Sequence, residues 1–554
     1  MKIDRRSALG FLGVGATLPG VTAKAADSVA AAFNHGVASG DPTTQGAILW
    51  TRVTPATPDH ASPIPVKWHV AETADGNPVE SGDGEARPAR DFTVKVEPSK
   101  LKPGRDYWYW FEASGNRSPI GRFRTLPRGA TADAVFAVVS CQLYPGGYFN
   151  AYRSVAAQPR LDAVIHLGDY IYEYGADGYG TDIGRKIGRL PEPPHEIVSL
   201  ADYRARHAQY KTDPDLQAAH ARAPFICVWD DHETANDSWI GGAQNHQPET
   251  EGDWATRKAA AMQAYFEWMP IRDPRAGAAW DGINRSFDYG DLATLMMVDT
   301  RLLARSEQAA FKGETPDPAA FAAVLAERDR PDRELLGEPQ RGWLETGLKK
   351  SMDDGRPWQI LGNQVVMARV AGPDLAQLFG ADRATAMVST LDPGTKAQVT
   401  MAQAGYRAGL PFNLDAWDGY PAARERLYAS FRRAGSQPLV LSGDSHAFWA
   451  NNLLDAEGTP VAVEFGTSAI SSPSIGDALP AQLPLGDLLD KVNAEVAFCD
   501  QRAKGYILLT LTPKAAQADY IAVSTILAKD FTESRIASFK IDAETTNATL
   551  LRQN

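Results

Sequence analysis

Five short apolar runs in this chain each end on side chains able to hold a metal ion. "AVFAVVS" leads to Cys141-Gln142, and "VIHL" leads to Gly168-Asp169, with Tyr172 three residues beyond the aspartate. "FICVW" runs into Asp230-Asp231-His232-Glu233, "WQIL" into Gly362-Asn363-Gln364, and "LVLS" into Gly443-Asp444-Ser445-His446. Carboxylates, imidazoles, amide oxygens, a phenol and a thiol form a donor set of mixed hard and soft character, which suits a site with more than one metal. Bound cations acidify water and draw anionic substrates, so hydrolysis is the chemistry such a site favours.

Taken singly, each residue has an ordinary explanation. An aspartate after a strand-end glycine is commonly a cap or turn residue. Cys227 lies inside an apolar run and reads as a core thiol, Cys499 has no ligand-like neighbours, and His166 sits within its strand. It is the recurrence at five strand ends that favours a site. Within "VIHLGDYIYEY" only Tyr172 lies about one helical turn beyond Asp169, a spacing that brings both toward one ion, whereas Tyr170 and Tyr174 read as packing.

The positioning elements follow from the same runs. Short, nearly continuous apolar segments read as strands covered on both faces. The amphipathic stretches "WATRKAAAMQAYFEWM" and "RGWLETGLKKSMD" between them read as helices. Ligands of open α/β sheets gather beyond the carboxyl ends of the strands, so the clusters are expected in one cleft. Residues 32–125 alternate differently and predict a small β-sandwich, with Tyr107, Tyr109 and Phe111 of "LKPGRDYWYWFEA" on one face, as in strand F of a fibronectin type III domain. "GYILLTLT" and "ADYIAVS" predict an antiparallel hairpin, and the polar stretches around 175–195 and 367–415 read as loops or insertions.

Length of 554 residues predicts more than one domain, and the 44% hydrophobic, 22% charged composition is that of a globular protein. A net charge of −12 argues against nucleic acid or anionic lipid as main partners. Lys2, Arg5 and Arg6 precede the apolar run "ALGFLGVGATLPGV" and the small-x-small signal Ala23-Lys24-Ala25, a twin-arginine-type export segment too short and Gly/Pro-broken to anchor in a membrane. This predicts a periplasmic or secreted protein that meets the twin-arginine machinery. Its three cysteines form no disulfide framework.

The order Gly-Asp-x-x-Tyr, then x-His-Glu, then Gly-x-x-His resembles the metallophosphoesterase superfamily, in the tyrosine version found in purple acid phosphatases. Cys141 stands where an aspartate is usual, Asp231 replaces the asparagine before His-Glu, and "GDSH" replaces Gly-His-x-His. With "HGVASGDPTTQGAILWTRV", "WDDHE", "DTR" and "EFGTSAISSPS", these departures resemble the alkaline phosphatase D (PhoD-like) family. The resemblance implies an α/β fold: a layered metallophosphoesterase-type β-sandwich flanked by helices over residues 128–554. Before it come a fibronectin III-like domain over 26–127 and a signal segment over 1–25.

The resemblance further implies a ferric ion with one or two calcium ions. By position, Asp169 bridges the metals, and Cys141, Tyr172 and His446 complete the iron shell. Asp231, Asp444 and an amide oxygen of Asn363 or Gln364 face calcium. His232 matches the family's catalytic histidine. Asn236 is a candidate for a further calcium or for phosphate, and Arg301 for clamping phosphate. The implied activity is that of a phosphatase acting on small monoesters and diesters through metal-activated water, for phosphate scavenging. The alternative is a phosphodiesterase or phospholipase D acting on phospholipid headgroups. A non-enzymatic surface protein fits poorly, because all five motifs are intact.

Overall fold

The near-continuous apolar runs become parallel strands buried on both faces. The computed structural model describes residues 31–275, 282–311, 315, 317–480, 483–543 and 550–553; the predicted export segment 1–25 lies outside them. In one sheet Ala134–Val139, Ala163–His166 and Phe225–Cys227 lie side by side in parallel. In a second sheet Ala293–Met297, Trp358–Gly362, Leu439–Ser442 and Pro460–Gly466 do the same. Alternate side chains of this second set serve two cores. Leu295, Ile360, Leu441 and Val463 meet Phe136 and Ile165 of the first sheet. Met296, Leu361, Val440 and Ala462 pack with Leu344, Leu348, Leu427 and Phe431 of helices Gly337–Asp353 and Pro421–Ala434. A strand covered on both sides needs no polar face, which is why these runs read as unbroken apolar stretches.

Among the described residues the first sheet has ten strands and the second seven. Lys504–Leu511 and Ala515–Val523 form the expected antiparallel hairpin, and its first strand pairs with Ala134–Val139. On the other flank Val37–Gly40, Ile48–Arg52 and Thr93–Val96 extend the ten-stranded sheet. They also back a smaller sheet that includes Ile64–Ala71, Pro78–Ala86 and Asp106–Ala113, whose Tyr107, Tyr109 and Phe111 pack against Leu49 and Val94. The N-terminal sandwich therefore continues edge-on into the larger sheet through Gly40, paired with Phe225. A Cβ at Gly40 would sit 2.4 Å from the Phe225 carbonyl oxygen, so the seam requires glycine.

The stretches read as loops carry helices instead. Leu375–Phe379, Ala381–Ser389 and Pro393–Arg407 fill the region 367–415, and Thr181–Ile187 lies within 175–195. Their apolar residues, among them Leu375, Leu378, Phe379, Ala384, Met387 and Val388, pack in a small cluster of their own, and many of the remaining side chains face solvent.

Candidate active site

All the parallel strands end on the same side, and their carboxyl ends bring the predicted clusters together. The chain must turn sharply there to aim side chains inward. Cys141, Asp169, Asp444 and His446 all adopt left-handed backbone, with φ of 58°, 57°, 60° and 56°. Each such non-glycine conformation costs on the order of 1–3 kcal/mol, and such strain clusters at functional sites. Gly168, at φ 110°, lets two strand ends touch: a Cβ there would lie 2.4 Å from that of Asp230. Glu233 pins the same junction. Its carboxylate accepts hydrogen bonds from the backbone N–H groups of Tyr170 (2.6 Å), Asp230 (2.8 Å) and Asp169 (3.1 Å).

Three overlapping donor groups result: Cys141, Asp169 and His446; Asp169, Asp231 and His232; and Asp230, Asp231 and Asp444, with the donor atoms of each group within 4.8 Å of one another. Asp169 belongs to two of them. Asp169 Oδ1, Asp230 Oδ2 and Asp231 Oδ1 are buried without a hydrogen-bond partner. Buried carboxylate oxygens left unpaired are costly, so the donor set fits cations. Burial, reinforced by neighbouring carboxylates, pushes Asp169, Asp230 and Asp444 well above the usual carboxylate range, the repulsion that bound cations relieve.

Around the first group, Tyr172 Oη lies 2.9 Å from Asp169 Oδ2, 3.3 Å from His446 Nε2 and 2.7 Å from Ser472 Oγ. The carbonyl of Pro473 lies 2.6 Å from His446 Nδ1 and accepts a hydrogen bond from its N–H, leaving the Nε2 lone pair for the site. Burial lowers the His446 pKa to about 3, so the ring is neutral and competent as a ligand.

His232 is oriented from behind. Its Nδ1 lies 2.7 Å from Oε2 of Glu173, whose other oxygen accepts from Asn236 N and Asn245 Nδ2 at 2.8 Å each. Burial opposes the imidazolium, yet Asp231, Glu173 and Asp169 together raise its pKa well above the usual value. The rings of Tyr172 and Tyr174 flank it at 4.2 and 5.4 Å.

Four residues expected at the site meet protein partners in this structure. Arg301 is fully buried and offers no free fork for phosphate: Nε meets Asp230, Nη1 lies 2.8 Å from Asp415, and Nη2 lies 3.0 Å from Asp444 and 3.6 Å from Asp231. It is the counter-charge behind the carboxylates. The Asn363 amide oxygen accepts from Trp417 Nε1 (3.0 Å) and that of Gln364 from Thr300 Oγ1 (2.7 Å), so both amides brace neighbouring loops. The Asn236 side chain donates to Gln244 Oε1 and its backbone supports Glu173, which places it in the His232 frame. Glu173, Asp415 and Ser472 were not singled out by sequence. Glu173 offered only its place inside "IYEY", and Asp415 lies in the stretch read as a loop. Tyr170 packs in the core as expected, with its hydroxyl bonded to His220 and Lys211. Cys227 and Cys499 are buried free thiols.

With this geometry in place, comparison with known proteins is decisive. The sequence model described as PhoD-like phosphatase matches residues 136–520. The chain belongs to the PhoD-like phosphatase family. The model of the PhoD-like phosphatase N-terminal domain matches residues 20–127. Alkaline phosphatase D of Bacillus subtilis (strain 168) is 35% identical over 522 residues, which cover 92% of this chain and 80% of that protein. A solved structure of PhoD matches with a TM-score of 0.75 at 32% identity, covering 94% of this chain and 92% of that one. Purple acid phosphatase PPD1 from yellow lupin seeds matches with a TM-score of 0.52 at 13% identity over 92% of this chain and 73% of that one, a likeness of fold alone. This PhoD-like phosphatase is thus a phosphoric ester hydrolase on a metallophosphoesterase-type α/β fold, with an all-β N-terminal region. Among the described residues, no helix is long and apolar enough to cross a membrane.

Proposed function

We propose that this PhoD-like phosphatase hydrolyses phosphate monoesters and diesters at a centre of one ferric ion with one or two calcium ions. We further propose that it scavenges phosphate in the periplasm or medium after twin-arginine export. The observation that carries the catalytic reading is the position of Asp169, shared by two donor groups, with Oδ1 unpartnered and Oδ2 facing Tyr172 and His446. Cys141, Tyr172, His446 and Asp169 would hold iron, because phenolate and thiolate suit a ferric ion. Asp169, Asp231 and Asp444 offer the hard oxygens that calcium prefers. When bound, the metals supply the positive charge that acidifies water and draws electron density from phosphoryl oxygens.

The chain's own residues do the rest. The carboxylate cluster alone would repel a phosphate, so Arg301 and the bound cations set the sign of the field. The Glu173 carboxylate accepts a hydrogen bond from Nδ1–H of His232, which directs Nε2–H to the substrate side. From Nε2 a proton passes to the leaving-group oxygen, the task of a general acid. That transfer is indifferent to a second ester on phosphorus, so monoesters and diesters are both substrates.

Metal analysis together with the visible spectrum tests this reading. An iron-loaded, coloured protein that loses its tyrosinate charge-transfer band in Tyr172→Phe is expected. An iron-free, colourless and fully active enzyme would overturn the iron assignment.

A further inference from the structure

The segment Thr467–Pro473, which follows strand Pro460–Gly466, contributes no ligand yet touches three of the residues assigned to iron. Ile470 N–H donates to the Ser140 carbonyl (3.0 Å), and the N–H groups of Ser471 and Ser472 donate to the Cys141 carbonyl (3.3 Å each). Ser468 Oγ donates to the Ala503 carbonyl (2.5 Å) and lies 3.1 Å from that of His446, and the Pro473 carbonyl accepts from His446 Nδ1. One loop thus fastens the Cys141 turn of the first sheet to the His446 turn of the second.

The Ser472 hydroxyl is the point of interest. It is fully buried, its oxygen accepts from Leu143 N (3.2 Å), and its proton goes to the Cys141 carbonyl (2.9 Å). The same oxygen lies 2.7 Å from Tyr172 Oη, whose own proton goes to Asp169 Oδ2 (2.9 Å). A hydroxyl has one proton and free rotation about its C–O bond. When the phenol proton is released on binding a metal, Tyr172 Oη becomes an acceptor only. The Ser472 proton can then swing to it, and the Cys141 carbonyl still keeps two backbone N–H groups.

We propose that Ser472 is a positioning residue for Tyr172: its hydroxyl donates a hydrogen bond to the phenolate oxygen in the metal-loaded protein and so sets the energy of that ligand. Groups beyond the ligand shell commonly tune bound metals in this way. The inference rests on the ferric reading of Tyr172 given above. A donor lowers the energy of the phenolate electrons, so its removal brings the charge-transfer transition to lower energy.

The test is the visible spectrum of the iron-loaded holoenzyme for wild type, Ser472→Ala, Ser472→Thr and Ser472→Cys. The band is expected to move to longer wavelength in S472A, to move less in S472C, whose thiol is a weak donor, and to return toward the native position in S472T. Should S472A not retain iron, S472C against S472T carries the comparison. A wild-type band that stays in place in both S472A and S472C overturns the role of Ser472 and leaves the ferric reading standing. A shift in S472T as large as in S472A also overturns it, since packing rather than donation would then be responsible. A wild-type protein with no such band overturns the ferric reading, and this inference with it.

Discussion

Glu173 Oε2 and His232 Nδ1 lie 2.7 Å apart, with the Glu173 side chain fully buried and that of His232 9% exposed. Burial disfavours the carboxylate, but His232, Asn245 and the Asn236 amide outweigh it and keep Glu173 ionised, with its pKa below the usual value. The pair fixes which imidazole nitrogen carries the proton toward substrate.

Glu173→Gln retains a hydrogen-bond acceptor of nearly the same size and removes the charge. Turnover is expected to fall about 10–100-fold, the usual loss when an orienting partner is altered, with KM nearly unchanged. Steady-state kinetics on a monoester and a diester check this. Unchanged kcat would mean His232 does not depend on Glu173.

Arg301→Met removes the cation facing Asp230, Asp231, Asp415 and Asp444. Breaking a buried pair from one side costs about 3–5 kcal/mol, because charges are left uncompensated. The loss is expected to be large in chelator-treated protein and smaller after metal loading, since bound cations supply the missing countercharge. Thermal unfolding with and without chelator measures the difference. Equal loss in both forms would contradict this placement of Arg301.

His35 is buried in contact with Trp268, and burial, with help from Arg52 and Lys211, lowers its pKa to about 3. The unfolded chain binds this proton near pH 6.5 and the folded chain only near 3. The stability contribution is therefore intact above pH 6.5 and is lost as pH falls from 6.5 toward 3. At pH 5 the deficit is about 2 kcal/mol. His35→Phe keeps a ring against Trp268, so denaturant unfolding should show this variant gaining on wild type as pH drops from 7.5 to 5. A constant difference between the two would contradict the assignment.

The parts of the site legible in sequence were those fixed by local order. A two-sided apolar strand followed by Asp169, Asp231 or Asp444 announces both the element and its polar tip. Arg301 and Asn363 sit at such tips too, but a strand end does not say which way a side chain turns. Arg301 turns into the carboxylates and Asn363 toward Trp417. Glu173, Asp415 and Ser472 act through partners far away in the chain, such as Ser472 on Tyr172 across 300 positions, and no spacing encodes that. The helices at 375–407 lie apart from the main cores, with apolar residues packed in a small cluster around Leu375 and Ala384, so they read as loop or insertion.

The central claim is that Asp169 joins the metals on which phosphoester hydrolysis depends. Its most direct test is Asp169→Ala, measured for bound iron and calcium and for turnover of a monoester and a diester in the same preparation. The account predicts loss of metal and of both activities together, in a protein that remains folded by circular dichroism. Substantial turnover of either ester by the metal-depleted variant would contradict it.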